Sequence, residues 1–339
     1  MVVVFFVIGA LIGAGFASGQ EIYAFFYKYG VNGLLGLIIC SILTGFVIYK
    51  TFRILLNSNR NIDNYENFLN IIINKKTKFI KIINLIINIS LLITFFVMIS
   101  GFGAYFEQEF RINKIIGATI LAIICFVVFM TDIKGVTKTN SVVVPILILC
   151  ILIIGIFNLK NLDINLIGKN LDCQINGSKW IWQSIIYCSY NMLLLIPVLV
   201  SIKNYIKSEK QIKYISIFCG LIVFILALNV YMLLVKVDID FSLIEMPAVY
   251  VISKNYSVLR FVYGIIILLS IFTTAISVGI GFLDNIVKNK SYFPQFAAIM
   301  CITSVIISNF GFSNLVNFSF PIFGYLGLIQ MFLISFKVI

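Results

Sequence analysis

Histidine is absent from this 339-residue chain, and only five prolines occur in it. Without histidine, the protein has no imidazole for general acid–base catalysis, for metal ligation or for a proton switch near neutral pH. Its seven cysteines are scattered with no C-x-x-C pair, and six lie in apolar segments, where small packing residues are expected. A disulfide framework is therefore not indicated.

Charged residues are also scarce, at 11% of the chain, whereas a typical soluble domain has about 25%. Hydrophobic residues make up 61%, and the mean hydropathy is +1.09. These values predict an integral membrane protein. The net charge of +12 comes from lysines and arginines dispersed between apolar segments, which is typical of cytoplasmic loops and does not indicate nucleic-acid binding.

Uncharged runs predict ten membrane spans, because about 20 apolar residues cross the hydrocarbon core. The first run lacks the basic start of a signal peptide, so residues 1–18 are interpreted as part of a retained helix. The last run, between Lys290 and Lys337, is long enough for two helices with a turn at residues 309–314. If the N-terminus is inside, 16 of the 25 lysines and arginines lie in the cytoplasm, which predicts that both termini are cytoplasmic.

Two connections are longer than turns. Residues 51–80 are rich in asparagine, isoleucine and lysine and are expected to form a short interfacial helix on the cytoplasmic face. Residues 237–256 lie on the outer side and contain apolar pieces too short to span. They indicate either a lid or re-entrant segment over an outer vestibule, or a plain folded loop.

Ten spans divide into five plus five, and an odd number in each half forces the halves into opposite orientations. We therefore predict an all-α fold with one membrane domain, residues 1–339, in which residues 1–160 form the first repeat and residues 175–339 the second. Asn140 and Pro145 in the fifth span, matched by Asn317 and Pro321 in the tenth, support this relation.

The first span contains a run of residues that a spanning helix does not favour. Residues 9–21 read G-A-L-I-G-A-G-F-A-S-G-Q-E. Each glycine weakens a helix by roughly 1 kcal/mol relative to alanine. The freed amides and carbonyls need partners that lipid cannot supply, and a bound ion or polar solute can be that partner.

The sixth span, which is the repeat partner of the first, carries Tyr187, Ser189, Tyr190 and Asn191 at mid-span and Pro197 further on. Either defect alone could be a kinked packing helix. Both together, in corresponding places, predict that helices 1 and 6 are discontinuous and form a binding site near the membrane midplane.

Hydroxyl groups are concentrated in the eighth span at Ser270, Thr273, Thr274 and Ser277. Such hydroxyls commonly bond to their own helical turn. They are also the oxygen ligands that a dehydrated sodium ion uses, so both interpretations stay open here.

These motifs resemble a known group of proteins. The ten spans, the break at G-A-G and the polar sixth span are similar to the amino acid–polyamine–organocation superfamily, which has the LeuT-type fold. Within it, I-G-A-G-F-A-S-G-Q-E followed by F-F-Y-K-Y-G, and later Y-C-S-Y-N with P-V-L, resemble the uncharacterised bacterial YkvI-like membrane proteins. The resemblance covers essentially the whole chain.

The resemblance implies specific site residues. The turn around Gly13, Ala14 and Gly15 would receive the anionic group of a substrate, and Tyr187, Ser189 and Asn191 would face that substrate. A sodium site would take carbonyl oxygens and hydroxyls from these residues: Gly9, Ile12, Ser270, Thr273 and Thr274.

Two features of the chain bear on the coupling ion. Phe16 follows Gly15 where some members of the superfamily have an asparagine that forms a second sodium site, so at most one sodium is expected. The fifth span lacks the internal lysine that replaces sodium in some proton-coupled members, which favours sodium.

Glu21 is the acid nearest to the glycine-rich run, and it has two interpretations. It is either a gating or proton-coupling group or an acid close to the outer interface with Lys28 as its surface neighbour. Twenty helical residues at 1.5 Å each already cross about 30 Å, so its depth favours the outer vestibule.

The predicted function is secondary active transport by alternating access. The solute would be an amino acid or a related compound, moved across a bacterial cell membrane by symport with Na⁺ or H⁺. No cofactor is expected beyond a possible sodium ion, and the partners would be the small solute and the lipid bilayer. The alternative is a ligand sensor that keeps a transporter fold, similar to a spore-germination receptor subunit. An enzyme is not expected, since no catalytic constellation is visible, and no Walker-type motif supports direct ATP drive.

Overall fold

The computed structural model describes residues 1–58, 62, 65–73, 78–159, 178–237, 241, 244, 246–255 and 257–337. These residues are almost entirely helical, and the predicted all-α class is confirmed. The α-helices, in chain order, are α1 Val2–Leu11, α2 Ala14–Ala17, α3 Gln20–Phe25, α4 Val31–Asn57, α5 Tyr65–Ile73, α6 Lys78–Phe110, α7 Lys114–Phe129, α8 Asp132–Leu159, α9 Lys179–Ser201, α10 Glu209–Val235, α11 Pro247–Asn255, α12 Ser257–Ile286, α13 Phe293–Ile307 and α14 Phe312–Ser335.

Among the described residues, eight helices are long and apolar enough to cross a membrane: α4, α6, α8, α9, α10, α12, α13 and α14. The helices α1 and α7 are apolar but shorter. A multi-span membrane protein is therefore confirmed. Ten spans would require two further crossings, one by α1 with the segments that follow it and one by α7. The count of ten stays a prediction.

The first span is interrupted, as the glycine-rich run predicts. Helix α1 ends at Leu11, and after Ile12 and Gly13 the chain continues in the single turn α2. A second interruption lies at Ser18 and Gly19, where Gly19 has φ of 80°, a left-handed conformation that favours glycine. The first span is thus three short helical pieces joined by two turns.

The sixth span corrects the expectation that helices 1 and 6 are both discontinuous, because α9 runs without a break from Lys179 to Ser201. The polar side chains bond within this helix: the Ser189 hydroxyl donates to the Ile185 carbonyl at 2.6 Å, and the Asn191 amide to the Tyr187 carbonyl at 3.0 Å. Pro197 lies only one turn before the end of the helix, where the loss of one amide donor does not break it.

Helices α4 and α10 cross at small residues. A Cβ atom built at Gly45 would lie 3.0 Å from the Ser216 carbonyl oxygen, and one built at Gly220 would lie 3.0 Å from the Ser41 carbonyl oxygen. Each helix therefore presents a serine and a glycine four residues apart to the same pair on the other helix. Such small-residue pairs let two membrane helices approach closely.

Connections predicted to share the cytoplasmic side lie together in the structure. Arg53, at the end of α4, forms an ion pair with Glu209 at the start of α10, with Nε to Oε1 at 3.3 Å. The Lys337 ammonium, near the C-terminus, donates to the Ile72 carbonyl of α5 at 3.3 Å.

Contacts at other connections join segments predicted to lie outside. Arg260 pairs with Glu109 at 2.7 Å, and Lys114 donates to the Asn309 carbonyl at 3.2 Å. The grouping of the connections agrees with the predicted topology, whereas the side that faces the cytoplasm stays a prediction.

The two long connections contain short helices that pack on the bundle. In the first, α5 buries Phe68 and Leu69, and the Tyr65 hydroxyl accepts from the Gln330 side-chain amide at 2.7 Å. In the second, α11 buries Ala248 and Val249. The parts at 59–61, 63–64, 74–77, 238–240, 242–243, 245 and 256 lie outside the described residues, as does 160–177, which contains the predicted boundary between the repeats.

The contact between α9 and α14 yields a prediction on stability. A Cβ atom at Gly327 would overlap the Ser189 backbone carbonyl, which cannot rotate away as a side chain can. Gly327→Ala is therefore expected to lower the free energy of unfolding by about 1–3 kcal/mol. The measurement is thermal unfolding of the purified full chain in detergent.

Gly324→Ala, one turn earlier on α14, is the matched control. A Cβ atom there meets chiefly the side-chain methyl of Ile186, which can shift. Both variants gain the same helix propensity. Equal unfolding temperatures for the two variants would contradict the proposed role of the Ser189 carbonyl.

Candidate functional site

The first interruption faces the hydroxyls of α12. The Thr274 hydroxyl donates to the Gly9 carbonyl at 2.9 Å, and the Ser270 hydroxyl lies 3.4 Å from the Gly13 carbonyl. The Thr273 hydroxyl donates to the Ser270 carbonyl of its own helix at 3.1 Å. All three α12 side chains are buried. The structure therefore brings carbonyl oxygens of the broken helix together with the Ser270 and Thr274 hydroxyls, as the sequence predicts for a cation site. The Thr273 hydroxyl instead makes a local bond of the alternative interpretation, and Ser270 makes one as well.

Ile12 lies at the interruption itself. It is fully buried and caps α1, with its amide donating to the Ile8 carbonyl at 2.9 Å. Its backbone angles, φ of −91° and ψ of 83°, turn the chain out of the helix. This turn takes the Ile12 carbonyl out of the regular helical direction.

Asn140 is a residue of this region that the sequence did not assign to the site. It lies on α8, fully buried, and its amide nitrogen donates to the Ser277 hydroxyl at 2.8 Å. Its Oδ1 atom has no hydrogen-bond donor among the described residues. A Cβ atom built at Gly9 would lie 3.1 Å from the Asn140 amide nitrogen, so the side chain lies directly beside the Gly9 backbone. The sequence signal that could have identified it is an asparagine within the otherwise apolar fifth span.

The second interruption is held by two other elements. The Tyr263 hydroxyl of α12 donates to the Ala17 carbonyl at 2.6 Å, and the Ala248 amide at the start of α11 donates to the Ser18 carbonyl at 2.8 Å. Backbone groups released by a broken helix need such partners where water is excluded. The short helix α11 thus bonds directly to the broken span, and the choice between a lid and a plain loop for residues 237–256 stays open.

Glu21 lies inside the protein, which corrects the expected position in an outer vestibule. Only 4% of its surface is exposed. Its carboxylate accepts a hydrogen bond from the Tyr187 hydroxyl at 2.9 Å, and the Tyr190 hydroxyl lies 3.4 Å from its other oxygen. The estimate of depth assumed one continuous helix at 1.5 Å per residue, whereas two interruptions precede Glu21 in the chain.

The Glu21 side chain also lies against Gly15. A Cβ atom added at Gly15 would overlap the carboxylate, so the absence of a side chain there is what admits Glu21. Lys28 was the expected neighbour of Glu21, but its ammonium lies 4.8 Å from the centre of the Tyr23 ring. The glycine-rich turn therefore contacts an acidic side chain of the same span.

Aromatic rings surround the two tyrosines. Phe25 and Phe26 each lie 5.1 Å from the Tyr187 ring, centre to centre. Tyr190 stacks on Phe320 of α14 at 4.5 Å. Glu21 therefore bonds to tyrosines that lie within a cluster of aromatic rings.

The other predicted substrate residues divide between two places. Asn191 lines a small cavity of about 10 Å³ with Ile12, Phe16 and Tyr187, which is about the space of one water molecule. Ser189 instead faces α14, where its hydroxyl lies 3.9 Å from the Met331 sulfur. Gly13 contacts Thr274, and the side chain of Ala14 lies outside the described residues.

Solved structures of two transporters resemble this chain in fold. No protein-family model matches it. The solved structure of MhsT in complex with L-phenylalanine superposes with a TM-score of 0.70 at 12% identity, over 97% of this chain and 87% of that one. A mutant of the manganese transporter of Eremococcus coleocola superposes with a TM-score of 0.67 at 14% identity, over 98% and 77%. The chain therefore has the LeuT-type fold of these transporters.

A relative in sequence is also known. The chain is 29% identical over 338 residues to the uncharacterized membrane protein YkvI of Bacillus subtilis (strain 168), which covers 96% of this chain and 92% of that protein. The homology to this membrane protein agrees with the resemblance found in the motifs.

Proposed function

We propose that this protein is a secondary transporter of a small solute that carries an amino group, an amino acid or a related compound. The observation that carries the proposal is the doubly interrupted first span, whose freed carbonyls are held by α12 and α11. Interrupted helices at the centre of a membrane bundle are the usual place for solute and ion binding in transporters. The fold, which is that of solved transporters, supports the same function.

Alternating access would result from two inverted five-helix repeats. Support comes from helices in corresponding places of the two halves: α4 packs on α10, and α6 packs on α12. The contact of α1 with α8 in the first half has its counterpart in the contact of α9 with α14 in the second. Relative motion of such halves opens a central site to each side in turn.

The coupling ion in this proposal is sodium, bound at the first interruption. A hard cation prefers oxygen ligands, and the Gly9 carbonyl and Thr274 hydroxyl already lie 2.9 Å apart. A cation between them would take both oxygens if the hydroxyl proton turned away. The Asn140 side chain lies beside Gly9 with its amide nitrogen nearest, and its Oδ1 atom, which lacks a donor among the described residues, is a further oxygen of this region. The proposed ligands are Gly9, Ile12, Asn140, Ser270, Thr273 and Thr274.

A transition-metal substrate is not supported. No group of three or more histidine, cysteine, aspartate or glutamate side chains that could hold a metal ion occurs in the described part of the chain. The manganese transporter therefore supports the fold here and not the choice of substrate. An enzymatic role is likewise not proposed. We propose that the protein lies in a bacterial cell membrane with both termini in the cytoplasm.

The test is uptake by the purified full chain in proteoliposomes. A mixed pool of labelled amino acids and amines is offered with an inward sodium gradient, with an inward proton gradient, and with neither. We expect accumulation with the sodium gradient that collapses when the gradient is removed. Empty liposomes are the control.

Binding without accumulation under any gradient would contradict transport and favour the ligand-sensor alternative. Accumulation with the proton gradient alone would keep the transporter and remove sodium as the coupling ion.

A further inference from the structure

A groove of about 670 Å³ lies between α4 and α10 on the surface of the bundle. The large side chains along its walls are apolar and yet exposed. They are Ile38, Ile42, Phe46, Ile217 and Leu221. Apolar side chains on the outside of a membrane-spanning bundle face the hydrocarbon of the bilayer. The groove therefore opens toward lipid.

Small residues form the floor of this groove. Ser41 and Gly45 of α4 face Ser216 and Gly220 of α10, at the crossing of the two helices. Each serine hydroxyl donates to the carbonyl one turn earlier in its own helix, at 2.7 Å for Ser41 and 2.9 Å for Ser216. Because both hydroxyls are satisfied in this way, the floor suits a hydrocarbon chain and not a polar solute.

One end of the groove is basic. Arg53 of α4 pairs with Glu209 of α10, so the end of α4 lies beside the start of α10. Lys50 and Lys213 lie three and four residues inward from that pair and are therefore at the same level. Lys213 lines the groove, and the Lys50 ammonium lies 5.9 Å from the centre of the Phe46 ring, which lines it as well.

Neither of these two lysines forms an ion pair in the described part of the chain. The ion pairs found there join Arg53 to Glu209 and Arg260 to Glu109. A phosphate group accepts charge-assisted hydrogen bonds from ammonium groups. Basic pockets between membrane helices on the cytoplasmic side are places where anionic lipid headgroups bind, and the predicted topology puts this end of α4 on that side.

We propose that the groove between α4 and α10 binds an anionic phospholipid, with its phosphate at Lys50 and Lys213 and an acyl chain along the floor at Gly45 and Gly220. The length of the groove fits this occupant. From Ile38 to Lys50 the helix rises about 18 Å, and one leaflet supplies about half of a hydrocarbon core that is roughly 30 Å thick. This lipid site is separate from the broken first span and goes beyond the proposed transport function.

The test compares phosphatidylglycerol with phosphatidylcholine that has the same acyl chains but no net charge. Glycerol 3-phosphate supplies the phosphate without acyl chains. Each is added to the purified, delipidated full chain in detergent, and binding is measured as thermal stabilisation and as lipid retained in native mass spectrometry. Phosphatidylglycerol should bind about tenfold or more tightly than phosphatidylcholine. Glycerol 3-phosphate should not stabilise the protein.

The double variant Lys50→Gln, Lys213→Gln tests the headgroup. It should bind the two lipids alike, because the phosphate loses both ammonium partners. The double variant Lys134→Gln, Lys138→Gln is the matched control. These two lysines are exposed on α8, on the same predicted side of the membrane, and do not line the groove. The control should keep the full preference for phosphatidylglycerol.

A larger side chain in the groove tests the acyl chain. Ile42→Trp fills part of the groove and should weaken the binding of both lipids. Ile123→Trp, on the exposed face of α7, is its control and should leave binding unchanged. If Ile42→Trp does not fold, Ile217→Trp on the opposite wall replaces it.

Equal binding of the two lipids by the unaltered protein, or an unchanged preference in the Lys50→Gln, Lys213→Gln variant, would overturn the proposal, because the lipid contact would then be unselective. Stabilisation by glycerol 3-phosphate equal to that by phosphatidylglycerol would overturn it too, since a free anion would suffice. So would dimerisation without lipid that Ile42→Trp abolishes, since a second copy would then cover the groove. These measurements do not require uptake, so a failure of the transport function would leave the lipid site standing.

Discussion

Replacing Thr274 with valine is expected to lower the apparent sodium affinity of uptake by about tenfold or more, since even groups that only orient a metal ligand change affinity by that amount. The variant keeps the branched side chain and removes the hydroxyl that lies 2.9 Å from the Gly9 carbonyl. The measurement is initial uptake in proteoliposomes as a function of sodium concentration, at a fixed solute concentration.

Thr119→Val is the matched control for this variant. Thr119 lies on α7, and its hydroxyl donates to the Ile115 carbonyl of its own helix at 2.7 Å and not to the broken span. Its sodium dependence should equal that of the unaltered protein. If Thr274→Val also retained the full sodium dependence while taking up solute normally, the proposed ion site would be in the wrong place.

Gly15→Ala is expected to lower the free energy of unfolding by about 1–3 kcal/mol, because a displaced buried carboxylate loses the hydrogen bonds that compensate its burial. The added Cβ atom would overlap the Glu21 carboxylate and force it away from the Tyr187 and Tyr190 hydroxyls. The backbone need not unfold, because the atoms that must move belong to one flexible side chain. The measurement is thermal unfolding of the purified full chain in detergent.

Gly13→Ala provides the comparison. A Cβ atom at Gly13 would lie 3.4 Å from the Met98 sulfur and from Thr274, which is ordinary van der Waals contact. Its effect on the unfolding temperature should be smaller than that of Gly15→Ala, although both glycines belong to the same motif. Equal effects of the two variants would show that the turn needs glycine for its backbone conformation and not to make room for the Glu21 carboxylate.

The membrane class and the weak point of the first span follow from the sequence. Long apolar runs with few charged residues are not stable when exposed to water, so composition alone identifies a membrane protein. Gly13 and Gly15 remove side chains and helix propensity at known positions, and Ile12 and Gly13 leave the helix there. These are local properties, and local properties can be predicted from a linear sequence.

The sixth span shows where local reasoning is insufficient. Tyr187, Ser189 and Asn191 make it polar, and this polarity predicts a break, yet α9 is continuous. A serine or asparagine in a helix can bond to its own turn or to a distant partner, and sequence does not distinguish these choices. In the structure Ser189 and Asn191 both bond to their own turn, so neither requires a break in the helix.

The sequence by itself determined that this is a helical membrane protein with an interrupted first span and hydroxyl groups in its eighth. Only the tertiary structure decided the surroundings of Glu21. Counting residues along one helix placed it near the surface, whereas the two turns before it direct its carboxylate back to Gly15 and to Tyr187 and Tyr190. Those partners are up to 169 residues away in the chain, and contacts over such a separation depend on how the helices pack, which no local pattern contains.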